Sequence, residues 1–329
     1  MLGHLTAAAL AAASLALPAA AAVPGQLQQI LDGARENPLY RYPTSLTRDI
    51  IPKAVHSHND YWRDVPFYTA LSRGCISVEA DVWLYGDDRL LVGHDRSSLS
   101  ENRTFDSLYV QPILSVLRAQ NPAHGFLPPG DAPTRNGVYD AGPGQTLYLF
   151  VDVKTDGAAT WPAVVRALGP LREAGYLTTV RNGTAGTAAV PESGPVTVVG
   201  TGNTPRALVE GAPAPRDYFW DAPAADLARD GFKDVGAALS PIASAGFGDA
   251  LGAGEGSAAR RSGVLNDTQL ALLREQVGAA HARGIKVRYW DTPGWPVAAR
   301  NKVWRTLWEA GVDLLNADDL EDAAGFWEE

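Results

Sequence analysis

The chain has 329 residues, 46% of them hydrophobic and 20% charged, which is a globular rather than a disordered composition. A net charge of −9 with no basic stripe argues against nucleic acid or an anionic membrane surface as a partner, but not against a lipid reached through apolar loops. The single cysteine, Cys75, rules out an internal disulfide and, set beside Gly74 among apolar neighbours, reads as inert packing.

The first 22 residues contain no Lys, Arg, Asp or Glu and end in an Ala run. They predict a signal peptide over 1–22, cut at an A-x-A-type site near Ala22, and hence a secreted, extracellular protein. The run is short and Ala-rich, against a stable membrane span. Because His4 and the amino terminus are its only positive groups, a signal anchor in the secretory pathway is the alternative. Sequons at Asn102, Asn182 and Asn266 agree with a glycoprotein on that route. Residues 23–52 read as a linker with a first helix, and 53–329 as one catalytic domain, expected to be a monomer.

Within that domain one phrase recurs: a helix end, a glycine, then an apolar strand closed by polar residues. It occurs around Gly74, Gly284 and Gly311. Each glycine suits the left-handed position that ends a helix, and strands apolar on both faces are those of buried parallel sheets. The predicted strands are 54–58, 77–83, 147–153, 195–200, 217–221, 239–242, 285–290 and 312–316, with a hairpin arm at 90–94. Asn266 or Asp267 is set to cap a helix with a stripe of Leu270, Leu273, Val277 and Ala280. Pro296 suits the first turn of another helix, which carries Val303 and Leu307 and stops at Gly311. Eight strand–helix units predict an α/β fold, a single (β/α)8 TIM barrel with its site at the carboxyl ends of the strands. The segments 95–145 and 222–265 read as long loops on that face.

The polar residues gather at those strand ends. Val55–Asp95 holds three of the six histidines, His56, His58 and His94, around Glu79-x-Asp81. Residues i and i+2 of a strand share a face about 6.6 Å apart, so Glu79 and Asp81 project side by side and need a cation or a shared proton. The same rule pairs Asp152 with Lys154. Three carboxylates without cysteine favour a hard divalent cation, Mg²⁺ or Ca²⁺. A lysine beside it suits a phosphate oxygen, and two histidines can serve as acid and base. Together these groups describe phosphodiester cleavage on a small-molecule or lipid substrate. Trp290 and Asp291 read either as substrate contacts or as a rim aromatic with a helix cap.

The stretches S-H-N-D-Y, V-E-A-D-V, L-L-V-G-H-D and F-V-D-V-K-T resemble the phospholipase C-like phosphodiesterase superfamily, most closely its fungal branch named for altered inheritance of mitochondria. The tight match covers about 55–95 and 146–156. The resemblance implies Glu79, Asp81 and Asp152 as metal ligands, His94 as the second catalytic histidine and Lys154 at the phosphate. For the first histidine it leaves two options: His58, where His58-Asn59 matches an H-N pair whose asparagine also binds metal, or His56, where the H-R-G histidine of glycerophosphodiesterases leaves its strand. The H-N pair favours His58. The H-R-G and P-E-N-T sequences of glycerophosphodiesterases are missing, so a glycerol-type or lipid-derived diester is implied only at the level of class.

Two other functions compete. Secreted barrels with nine tryptophans often grip sugars, but a glycoside hydrolase spreads its carboxylates across the scissile bond. A catalytically silent ligand-binding barrel would have no need of the complete polar set. Glu79-x-Asp81 as a solvated edge, Asp152-x-Lys154 as a plain ion pair and His94 as a turn cap are the bland alternatives. His281 and His124 read as a helix-surface and a loop residue.

Overall fold

The computed structural model describes residues 25–33, 42–122, 135–181, 189–254 and 256–326. The predicted signal peptide, the Asn182 sequon and His124 lie outside them. The chain divides into two compact units, Met1–Pro43 and Thr44–Glu329. In the first, helix Gly25–Gly33 is closed by a Gln28 to Asp32 hydrogen bond of 2.7 Å. The second carries the candidate site.

Its strands are β1 (Lys53–Ser57), β2 (Cys75–Tyr85), β3 (Arg89–Val92), β4 (Leu147–Val153), β5 (Thr179–Val180), β6 (Pro191–Glu192), β7 (Val196–Gly202), β8 (Phe219–Trp220), β9 (Ala222–Pro223), β10 (Ile242–Gly246), β11 (Lys286–Trp290) and β12 (Leu315–Ala317). One sheet runs β12–β1–β2–β4–β7–β8, all parallel, with β3 antiparallel on β2 as the expected hairpin arm. A second parallel sheet runs β11–β10–β9, and β5–β6 is a small antiparallel pair. Only Asp221 separates β8 from β9, and a lone parallel bridge joins Arg288 of β11 to Leu314. The fold is therefore α/β with a mostly parallel central sheet, compatible with a barrel. Its ladders form two sheets rather than one closed ring.

Gly74, Gly284 and Gly311 all have positive φ, as the repeated helix-end phrase requires. Asn266 rather than Asp267 caps helix Asp267–His281 through a reciprocal pair of bonds with Gln269, and Leu273, Val277 and Ala280 are buried. Pro296 precedes helix Val297–Glu309, whose Val303 and Leu307 are buried.

Three expectations need correction. The strand read at 239–242 is Ile242–Gly246, inside the segment taken as a loop. Its Ala, Ser and Gly side chains give no hydrophobic signal, and it is held by five paired positions against β11. The 217–221 strand is two short strands interrupted at Asp221. The 95–145 segment is not all loop: helix Gln111–Gln120 buries Ile113, Leu114, Val116 and Leu117 in the main hydrophobic core.

The eight residues from Cys75 to Val82 of β2 are all buried, and alternation sorts them into two chemistries. Ile76, Val78, Ala80 and Val82 belong to the hydrophobic core, where each large side chain contributes about 1.5–3 kcal/mol. Ser77, Glu79 and Asp81 occupy the opposite, polar face.

Candidate active site

Parallel pairing of β2 with β4 sets Asp81 directly beside Asp152. Ligand oxygens of Glu79, Asp81 and Asp152 lie within 4.8 Å of one another. Burial pushes Asp81 up to about 7, with Glu79 and Asp152 adding their repulsion, and burial raises Asp152 too. Burial also works against the Glu79 anion, but the surrounding positive charge, with the fixed guanidinium of Arg288 in it, outweighs burial and holds Glu79 well below the usual range. Asp81 Oδ1 is buried and has no hydrogen-bond partner among the described residues. An all-oxygen cluster with an orphaned carboxylate oxygen fits a hard divalent cation.

Lys154 Nζ reaches Asp152 Oδ2 at 2.8 Å and Asp81 Oδ2 at 3.0 Å. Burial disfavours its charge, yet the two aspartates prevail and raise its pKa. Gly202, at the end of β7, has φ +61°, and a Cβ there would meet Asp152 Oδ1 at 2.0 Å. Asn59 and Asp291 are also left-handed, so two non-glycine residues beside this site hold costly backbone conformations.

His58 follows β1, and its Nδ1 lies 2.9 Å from Asp318 Oδ1, just past β12. A carboxylate only accepts, so Nδ1 carries the proton and Nε2 is the basic nitrogen, 3.8 Å from Glu79 Oε2. Burial opposes protonation, but Asp318 and Glu79 outweigh it and raise the His58 pKa. His94 stands opposite, with Nδ1 3.1 Å from the Tyr61 hydroxyl and 3.7 Å from Asp81 Oδ2. Tyr61 in turn donates to Asp81 Oδ2 at 2.7 Å. The Trp62 ring flanks His94 at 5.2 Å. The backbone N–H of Asn59 donates to Glu79 Oε2 at 3.1 Å.

Apart from Tyr61 and Trp62, these groups line a cavity of about 470 Å³ that also includes Arg288, Trp290, Asp291, Asn316 and Asp318. Of the residues singled out from sequence, His58, Asn59, Glu79, Asp81, His94, Asp152, Lys154, Trp290 and Asp291 are brought together on it. His56 does not line it. Its ring is fully buried between Ser77 Oγ (2.7 Å from Nδ1) and Arg288 Nη1 (2.6 Å from Nε2), and burial, then Arg288, pushes its pKa down to about 3. Asp291 is held by Arg260 through both carboxylate oxygens, at 2.7 and 2.9 Å, and helix Val297–Glu309 takes Pro296 as its cap instead.

Cys75 is buried, with its thiol pushed up to about 12, and is inert, while His281 pairs with Asp313 on the surface. Sequence reading missed Tyr61, Arg288 and Asp318 as site residues. For Arg288 a signal existed: an arginine between Val287 and Tyr289 in a strand buried on both faces can only point at other polar groups.

A family model described as an AIM6-like phosphodiesterase domain matches residues 44–221. An altered inheritance of mitochondria protein 6 homolog from Arthroderma benhamiae is 50% identical over 98% of both chains. Altered inheritance of mitochondria protein 6 of Eremothecium gossypii is 36% identical over 85% of this chain and 71% of its own. The Saccharomyces cerevisiae protein of that name is 31% identical over 84% and 71%. With the matched segment spanning β1 to β8 and the whole carboxylate cluster, the chain belongs to the AIM6-like phosphodiesterase family.

Proposed function

We propose that the chain is a metal-dependent phosphoric diester hydrolase, with Glu79, Asp81 and Asp152, aided by Asn59, holding one Mg²⁺ or Ca²⁺. The observation that carries this reading is the buried carboxylate cluster with Lys154 and two histidines around one cavity. When bound, the cation supplies Lewis-acid stabilisation of charge on a phosphoryl oxygen. Lys154 binds a second phosphoryl oxygen as a point charge. His58, held in one tautomer by Asp318, takes the proton from the attacking oxygen at Nε2. His94, at the exposed rim and steadied by Tyr61, returns a proton to the leaving alcohol.

Ligand oxygens within 4.8 Å are closer than the roughly 5–9.5 Å separation that glycosidase carboxylates need, which counts against sugar hydrolysis. The finer architecture belongs to the same proposal: β1, β2, β4, β7, β8 with β9, β10, β11 and β12 supply the eight positions of a (β/α)8 barrel. So do the secretory route, on the sequence features given above, and a monomeric state. The substrate class is a lipid-derived or glycerol-type phosphodiester.

The test is ³¹P NMR of the protein with glycerophosphocholine, lysophosphatidylcholine, phosphatidylinositol and sphingomyelin, each with Mg²⁺, Ca²⁺ or EDTA. A new monoester or cyclic-phosphate resonance is expected that vanishes with EDTA and in Glu79→Ala/Asp81→Ala. Turnover that survives both would sink the metal reading.

A further inference from the structure

Arg288 is 2% exposed, and its guanidinium draws together five strands. Nη1 lies 2.6 Å from His56 Nε2 on β1, 3.2 Å from Asn316 Oδ1 on β12 and 3.5 Å from Glu79 Oε1 on β2. Nε donates to Ser244 Oγ on β10 at 3.0 Å, and the group lies 4.5 Å from the centroid of the Phe150 ring on β4. A guanidinium only donates, so His56 must offer Nε2 as an acceptor and keep its proton on Nδ1, toward Ser77. His56 is thereby committed as a neutral prop for Arg288.

The other end of this arrangement is Glu79. Oε1 faces Arg288, and Oε2 accepts from the Asn59 N–H at 3.1 Å. Both oxygens are thus held by fixed groups, one on β11 and one in the turn after β1, and a carboxylate gripped at each oxygen has one rotamer to offer. We infer that Arg288, braced by His56, is a positioning residue that fixes the orientation of Glu79 toward the cavity. This rests on the reading that Glu79, Asp81 and Asp152 hold a divalent cation.

Physics makes the test sharp, because two roles of Arg288 predict opposite signs. If the guanidinium were only a positive neighbour, removing it would relieve repulsion and tighten cation binding. If it positions a ligand, removing it loosens binding, by roughly tenfold as outer contacts of metal ligands commonly do. Mn²⁺ titration calorimetry on the wild type, Arg288→Met, Arg288→Lys, Glu79→Gln and Glu79→Gln/Arg288→Met separates them, beside thermal melts of the same set. We expect Arg288→Met to weaken Mn²⁺ binding roughly tenfold. Arg288→Lys, which keeps the charge but not the fork, should recover only part of that. In the Glu79→Gln background the further loss should be about twofold or less, since the residue to be positioned has changed.

Binding by Arg288→Met as tight as wild type or tighter would overturn the assignment, as would an equal loss in both backgrounds. If Arg288→Met does not fold, Arg288→Lys carries the same comparison. If the wild-type chain binds no Mn²⁺, the metal reading falls. The melts then decide the pairing alone, non-additive shifts sustaining it and additive shifts ending it.

Discussion

The Nδ1 of His58 and the Oδ1 of Asp318, 260 residues apart in the chain, lie 2.9 Å from each other at the cavity wall. The contact selects the tautomer of His58 and raises its pKa against the effect of burial. Asp318→Asn should therefore lower kcat by about 10²–10⁴-fold, as for a disoriented general base, with KM little changed. The acid limb of the kcat/KM profile should move to lower pH, because a base with a lower pKa stays deprotonated in more acidic solution. An unmoved limb would mean that another group sets it.

Cation uptake should be linked to protons. Asp81 sits at about 7 without the ion, and an ion can use only its ionised form. Below pH 7 each bound ion must expel a proton, so affinity falls by up to about tenfold per pH unit; above it the dependence flattens. Calorimetry in two buffers of different ionisation enthalpy checks this. Equal apparent enthalpies at pH 6 would refute it.

Asp221 gives a stability prediction. Burial raises it to about 6, partly offset by Arg288, which lies 3.9 Å away, and its Oδ1 has no partner among the described residues. Its folded pKa exceeds the unfolded value near 4, so the folded state binds this proton more strongly. The resulting stability is complete below about pH 4 and lost as pH rises through about 6. Relative to the wild type, Asp221→Asn should gain up to about 3 kcal/mol over that window, measured by urea melts at each pH. A stability difference that does not change with pH would contradict the assignment.

Gly202→Ala should displace Asp152. The backbone there is left-handed, and the added Cβ would lie 2.0 Å from Asp152 Oδ1, closer than atoms can approach. The variant should lose about 1–3 kcal/mol of stability from strain and contact, and most of its cation affinity. Retained wild-type affinity would show that Asp152 is not needed as a ligand.

By itself the sequence determined the local geometry. The i, i+2 spacing fixed Glu79 with Asp81 and Asp152 with Lys154, because a strand has a two-residue period whatever surrounds it. The glycines at 74, 284 and 311 marked helix ends for an equally local reason, since a left-handed residue without Cβ costs little. Tertiary structure decided everything that depends on which strand lies beside which. Pairing of β2 with β4 joined the two dyads into one cluster. Placing β12 next to β1 brought Asp318 to His58 and left His56 facing inward to Arg288. His56 and His58 share a strand face by the two-residue period, and only the asparagine after His58 sets them apart in sequence. They differ because His56 lies within β1, under the cavity floor, whereas His58 lies beyond its last residue, where the chain opens to solvent and an imidazole can exchange a proton.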